Sequence, residues 1–247
     1  MIRAAMILSL LQLMSCHDLP EDWIKCHRND PQLNDCLKTA VQGVLIQLGN
    51  QGLPSLDLKH LEPLEVNEIE VQQKGTSDAV SMKIVLRNAK LHGLSKSSIL
   101  KFDAHLDNYE LDGETLTAVM KLEADYVING NIFVIPVTGK GKCNVTLYDA
   151  TILHGIQGKR VERGGEAFME LKKYKTTFSA KRMHSHFDNL FNGNKILGDT
   201  VNQIMNDNFQ FLINEMKPSL EKQLGIILLN YADEIFKKVP FDNIFPP

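Results

Sequence analysis

No G-x-S-x-G elbow, H-E-x-x-H pair, P-loop or G-x-G-x-x-G turn occurs in the 247 residues. The common nucleophile, zinc and nucleotide chemistries therefore have no recognisable carrier here. Gly139-Lys140-Gly141-Lys142 has the look of a phosphate loop but lacks its remaining glycine and its Ser/Thr, and reads as a turn. Tryptophan occurs once and aromatics make up 7%, so aliphatic side chains must carry the core. A net charge of −3 with dispersed basic residues gives no field to draw in nucleic acid. Outside the first residues no apolar run approaches the ~18 needed to span a bilayer, which excludes stable membrane insertion by a helix. Metal ligands are equally sparse. His184 and His186 share a strand face, but no third ligand is legible nearby. The chain reads as no enzyme, with no cofactor and no metal.

The leader is informative. Arg3, the apolar run Ala4 to Leu13, and the small residues Ser15 and Cys16 form a secretory signal, predicted over residues 1–16. Residues 17–247 then make one domain. Secretion gives meaning to four cysteines. Cys26 and Cys36 flank the turn-forming Asn29-Asp30-Pro31 and are predicted to be bridged, with two free thiols as the alternative. Cys143 alternates with Val145 and Leu147 and is predicted to face inward. Asn144-Val145-Thr146 is the sole glycosylation sequon, and its Asn144 falls on the opposite, outward face.

The pattern then divides into three. A helix is predicted from about Asp35 to Leu48, with Val41 and Leu45 on its apolar stripe. From Val66 to about Met183 the apolar period is two, the mark of long antiparallel strands. Turns are expected at Lys74-Gly75, His92-Gly93, Asp112-Gly113, Asn129-Gly130-Asn131, Gly139, Gly158 and Gly164-Gly165. After Gly198 the period returns to 3.6 in one long helix carrying Val201, Ile204, Met205, Phe209, Leu212, Met216, Leu220, Leu224 and Ile227. Pro218 is expected to kink it. A stripe of that length needs an equally long apolar partner. The fold class is therefore α+β: a strongly curved antiparallel sheet wraps the C-terminal helix, beside a short N-terminal helix, around an elongated hydrophobic tunnel. The strand residues expected to line it are Ile84, Leu86, Val119, Val134, Val145 and Leu147. The helix residues are Val41, Leu45, Val201, Ile204, Met205, Phe209 and Leu212. The basic residues of 159–182 read as the solvated face of long strands, with an anionic membrane or acidic partner as the other reading.

The segment Leu190-Phe191-Asn192-Gly193-Asn194-Lys195, then Leu197-Gly198, Asn202, Asn206 and the exit Val239-Pro240-Phe241, resembles the insect takeout and juvenile-hormone-binding family. The paired Cys26 and Cys36, the leader and the order of elements are similar too. The resemblance implies the tubular lipid-binding architecture. It also implies a secreted monomeric carrier of a small hydrophobic ligand, a juvenile-hormone-like terpenoid or long-chain lipid, in haemolymph or sensory-organ fluid. Hormone, circadian, feeding or chemosensory signalling is the implied setting. Juvenile-hormone carriers have a second disulfide in the later half, which Cys143 alone cannot form. That favours the takeout branch. Phe209 stands where the family's motif has Trp. The competing reading is a packed-core signalling protein acting through a surface receptor contact.

Overall fold

The computed structural model describes residues 18–72 and 80–247. The predicted signal, Cys16 and the expected turn at Lys74-Gly75 lie outside the described residues. Helix α1 (Leu33–Asn50) precedes strands β1 (Leu64–Gln72), β2 (Val80–His92), β3 (Ser98–His105), β4 (Glu110–Ile132), β5 (Ile135–Arg163), β6 (Glu166–Ser179) and β7 (Arg182–Phe187). Helices α2 (Lys195–Asp207), α3 (Phe209–Phe236) and α4 (Phe241–Ile244) close the chain.

All seven strands form one antiparallel sheet in the order β1-β2-β4-β5-β6. The 23-residue β4 and 29-residue β5 are its spine. β3 pairs with the first part of β4, and β7 with the middle of β5. At opposite edges, β1 and β6 reach the same turn of α3. The Gln72 N–H donates to Ser219 Oγ at 3.1 Å, and Thr176 Oγ1 donates to the Glu221 carbonyl at 2.8 Å. A sheet whose two edges meet on one helical turn is strongly curved, as the long coiled strands require. The fold class expected from the sequence is the one observed.

The approach of α3 to β6 is close. A Cβ at Gly225 would lie 2.4 Å from the Tyr174 carbonyl oxygen, so only glycine lets the backbones meet there.

Four of the expected turns are corrected. Asp112-Gly113, Asn129-Gly130-Asn131, Gly139 and Gly158 do not turn the chain but lie within β4 and β5. The β4–β5 hairpin turns instead at Phe133-Val134, between the paired Ile132 and Ile135. Gly130 serves the sheet: its φ is 148°, and a Cβ would sit 1.9 Å from the Ser81 carbonyl oxygen.

Nor does the alternation run unbroken. On β2 the inward residues are Val80, Met82, Ile84 and Leu86, then Ala89 and Leu91, because Asn88 (φ 51°) forms a bulge. On β4 the inward phase changes between Thr117 and Met120. On β5 it changes between Leu147 and Ala150, at Asp149 (φ 49°). These last two changes oppose each other, and the β4–β5 register is the same on both sides.

The long C-terminal helix is also two helices, not one kinked at proline. The break falls at Asn208 (φ −112°, ψ 22°), whose side-chain amide donates to the Ile204 carbonyl at 2.9 Å. That local bond competes with helix continuation. Pro218 lies inside an α3 that continues through it.

The N-terminal lead and the C-terminus form a second core under α1. Cys26 and Cys36 are joined, Cys26 is buried, and it packs with Leu37, Leu111, Met169, Phe241 and Phe245. The Arg28 N–H donates to the Pro246 carbonyl at 2.8 Å, and the Arg28 guanidinium pairs with Asp242 at 2.8 Å. Closing a loop this short stabilises by roughly 2–3 kcal/mol. Replacing both cysteines with serine is expected to lower the unfolding free energy by that amount, read from urea unfolding as a lower midpoint with little change in slope.

Candidate functional site: an apolar cavity between sheet and helix

Inside the curl lies a cavity of about 230 Å³, walled by side chains of β1, β2, β4–β7, α2 and α3. On α3 its lining runs from Leu212 to Ile227, roughly 22 Å at 1.5 Å per residue, so the space is elongated along the helix. Of 25 lining residues, 23 are apolar; the others are Ser185 and Gln223. Ser185 is occupied, donating through its hydroxyl and backbone N–H to Asn206 Oδ1 at 3.1 and 2.7 Å. Among the described residues Gln223 has no hydrogen-bond partner. Cys143 also lines the wall. Burial pushes its thiol up to about 12, so it is an inert, neutral wall atom.

Six of the expected wall residues line this cavity: Ile84, Leu86, Val145, Leu147, Met205 and Leu212. Val201, Ile204, Phe209 and Leu45 pack in the main core without lining it, and Val41 is half-buried on α1 away from it. Two expectations fail. Val119 is 42% exposed because it sits where the phase of β4 changes. Val134 is 93% exposed because it is the tip of the β4–β5 hairpin. The wall residues that sequence reasoning missed include Ile69 and Val71 on β1, Met82 and Leu91 on β2, Met120 and Leu122 on β4, Ala150 and Ile152 on β5, Phe178 on β6, Met183 and Phe187 on β7, and Ile213 and Gln223 on the second side of α3.

The motif around residue 190 seats α2 against β7 beside the cavity. Leu190 is fully buried, Asn192 and Gly193 take positive φ, and Asn194 Oδ1 caps α2 by accepting from the Leu197 N–H at 3.2 Å. The helix then lies along β7. Asn202 Oδ1 accepts from the Phe187 N–H at 2.9 Å, while its Nδ2 donates to the Phe187 carbonyl at 3.0 Å. Asn206 does the same for Ser185. Each amide side chain replaces a neighbouring strand.

The remaining singled-out residues fall outside the cavity. Asn144 is exposed on the outer face, as the sequon needs. His184 and His186 are exposed on β7, and His186 Nε2 lies 3.0 Å from Asp188. Among the described residues no group of three potential metal ligands occurs. Several basic residues of 159–182 are paired on the surface: Lys159 and Lys172 with Glu170, Arg160 with Glu162, and Lys181 with Asp149. Arg182 lies over the Tyr148 ring at 4.8 Å and Arg163 over Phe168 at 5.3 Å.

A titratable group also lies on the inner face of the sheet. His154 follows Ile152 on the inner face of β5, half-buried between Thr115 and Tyr174. Burial pushes its imidazole from the usual 6.5 down to about 4. Between those values the unfolded chain binds a proton that the fold excludes, so the stability is present above about pH 6.5 and lost toward pH 4. Lowering the pH from 7 to 4.5 is expected to cost the native protein about 2 kcal/mol more than it costs the His154→Phe variant. Urea midpoints at the two pH values test this; equal losses in both proteins would refute it.

The family described as "Haemolymph juvenile hormone binding protein (JHBP)" matches residues 4–246. Two relatives are both described as "Circadian clock-controlled protein daywake". The Drosophila melanogaster protein is 24% identical, covering 96% of this chain and 94% of the relative. The Drosophila yakuba protein is 23% identical over 87% and 84%. Among solved structures, Epiphyas postvittana Takeout 1 is 24% identical, with a TM-score of 0.78, covering 91% of this chain and all of that one. That likeness establishes the shared fold.

Proposed function

The chain belongs to the haemolymph juvenile hormone binding protein family, and from that premise we propose that it is a non-enzymatic carrier of a small hydrophobic ligand. The observation that carries this reading is the elongated cavity with two polar residues in its wall. Burying ~400 Å² of ligand apolar surface there gains on the order of 10 kcal/mol before association costs of several kcal/mol. That leaves about 6 kcal/mol, enough to hold a terpenoid or long-chain lipid at roughly tens of micromolar. A solid core, the basis of the signalling alternative, does not match this interior.

The finer reading follows from the sequence. Residues 1–16 direct secretion and are removed, leaving 17–247 as a single extracellular, monomeric domain glycosylated at Asn144. The disulfide between Cys26 and Cys36 suits that compartment. The name of the daywake relatives supports a place in clock-linked signalling. A receptor would be a second partner.

Native mass spectrometry of protein secreted from insect cells, followed by organic extraction, tests the carrier. One discrete hydrophobic molecule per chain is expected. An empty chain that also fails to bind a fluorescent fatty-acid probe overturns it. The same spectrum reads the mature N-terminus and the glycan.

A further inference from the structure

The wall of the cavity ends, toward the C-terminal half of α3, at Ile152, Phe178 and Ile227. The next inward position on β5 is His154, about 7 Å further along the strand. Thr115 of β4 and Tyr174 of β6 flank it, and Tyr174 lies where Gly225 brings α3 against the sheet. His154 Nε2 is 2.9 Å from Thr115 Oγ1, and His154 Nδ1 is 3.0 Å from Tyr174 Oη. Both ring nitrogens are therefore engaged by hydroxyls.

Proton counting gives this cluster a direction. A neutral imidazole has one N–H and one lone-pair nitrogen. One hydroxyl must donate to the bare nitrogen, and the other must accept the ring N–H. In either tautomer the accepting hydroxyl keeps its own proton. Among the described residues neither Thr115 nor Tyr174 has another partner to take it. One hydrogen-bond donor is thus left over on the inner face, just beyond Ile152, the last wall residue of the cavity on β5.

We propose that Thr115, His154 and Tyr174 form the head-group site of the cavity, and that they select an elongated ligand ending in an uncharged acceptor such as an ester or ketone. The inference rests on the carrier reading and deepens it. A hydrocarbon leaves the donor unsatisfied. A carboxylate brings a charge into a desolvated corner where burial keeps the imidazole neutral. An ester or ketone oxygen accepts the spare proton at no such cost.

Three probes of similar length separate the possibilities: methyl laurate, lauric acid and tridecane. Each is competed at pH 7 against the fluorescent probe N-phenyl-1-naphthylamine on the full secreted chain. Methyl laurate is expected to bind about tenfold more tightly than tridecane, and more tightly than lauric acid. In His154→Phe the ester should lose that advantage while tridecane binds as before, which also shows that the cavity is intact. Thr115→Val, a near-isosteric change, should reduce the ester's advantage if His154→Phe does not fold. Gln223→Leu tests the other polar group of the wall: loss of the ester preference in that variant would move the head-group site to Gln223 and overturn the proposal. Tridecane binding with no ester preference in the natural chain overturns the head-group site and leaves the carrier standing. Failure of all three probes overturns both.

Discussion

Val145→Trp is expected to weaken binding of a fluorescent lipid probe by thirtyfold or more, while leaving the protein folded. Val145 lies in the stretch of β5 between Cys143 and Leu147, and all three line the cavity. An indole projecting from this wall meets the Met205 and Met216 side of the interior before it meets solvent. A loss of thirtyfold is about 2 kcal/mol, well within what a bulky side chain removes from an apolar site. The melting temperature should hold or rise, because the side chain gains contacts that an empty space denies its lining. Val127→Trp is the matched control: Val127 is 45% exposed on the outer face of β4, so probe affinity should be unchanged. Fluorescence titration and thermal melting of the two variants decide the matter. Undiminished binding in Val145→Trp would mean that ligands do not enter this cavity.

Asn202→Leu carries the largest expected cost in stability. Asn202 is 8% exposed and makes both of its hydrogen bonds to the backbone of Phe187, itself buried. Leucine keeps the size but strands one N–H and one C=O away from water. Each orphaned group costs ~1–3 kcal/mol, so the sum is roughly 2–6 kcal/mol. Asn202→Asp retains the acceptor yet turns a second oxygen toward the Phe187 carbonyl, and should be no better tolerated. Asn206→Ala removes three bonds to Ser185 at a less buried site and should cost less. Urea unfolding checks the order. A midpoint for Asn202→Leu equal to that of the natural protein would show that α2 does not hold β7 through these amides.

The general form of the molecule was legible where one physical rule dominated. The stripe Met205, Leu212, Met216, Leu220, Leu224 and Ile227 does face the cavity, because a helix under a curved sheet has only one side to bury. The period of two was legible within each part of a strand. It failed at Asn88 and Asp149, where a single residue in a left-handed conformation re-aims everything after it. Val119 was misplaced because the inward phase of β4 also changes there, opposite Tyr148. Glycine was overread as punctuation. Gly113, Gly130, Gly139 and Gly158 lie within long strands, while Phe133 and Val134 make the turn. Pro218 was overread in the same way, and Asn208 underread, since its action is a bond to a carbonyl four residues back. The polar corner was out of reach. Thr115, His154 and Tyr174 are 39 and 20 residues apart, and only the pairing of three strands brings them together.

The opposed phase changes in β4 and β5 bear on how this chain can vary in length. Each strand carries one residue beyond strict alternation, at Ala118-Val119 and at Tyr148-Asp149, and the two compensate so completely that the pairing never slips. Losing either residue alone would turn the rest of that strand inside out relative to its neighbour, sending Lys121 or Lys142 inward and Leu122 or Cys143 to solvent. Losing both together would keep the pairing and reverse the two strands as a unit. Single-residue indels along this spine therefore invert buried and exposed faces even as matched pairs, and drift in chain length among descendants of this sequence should gather at the Phe133-Val134 and Gly164-Gly165 tips.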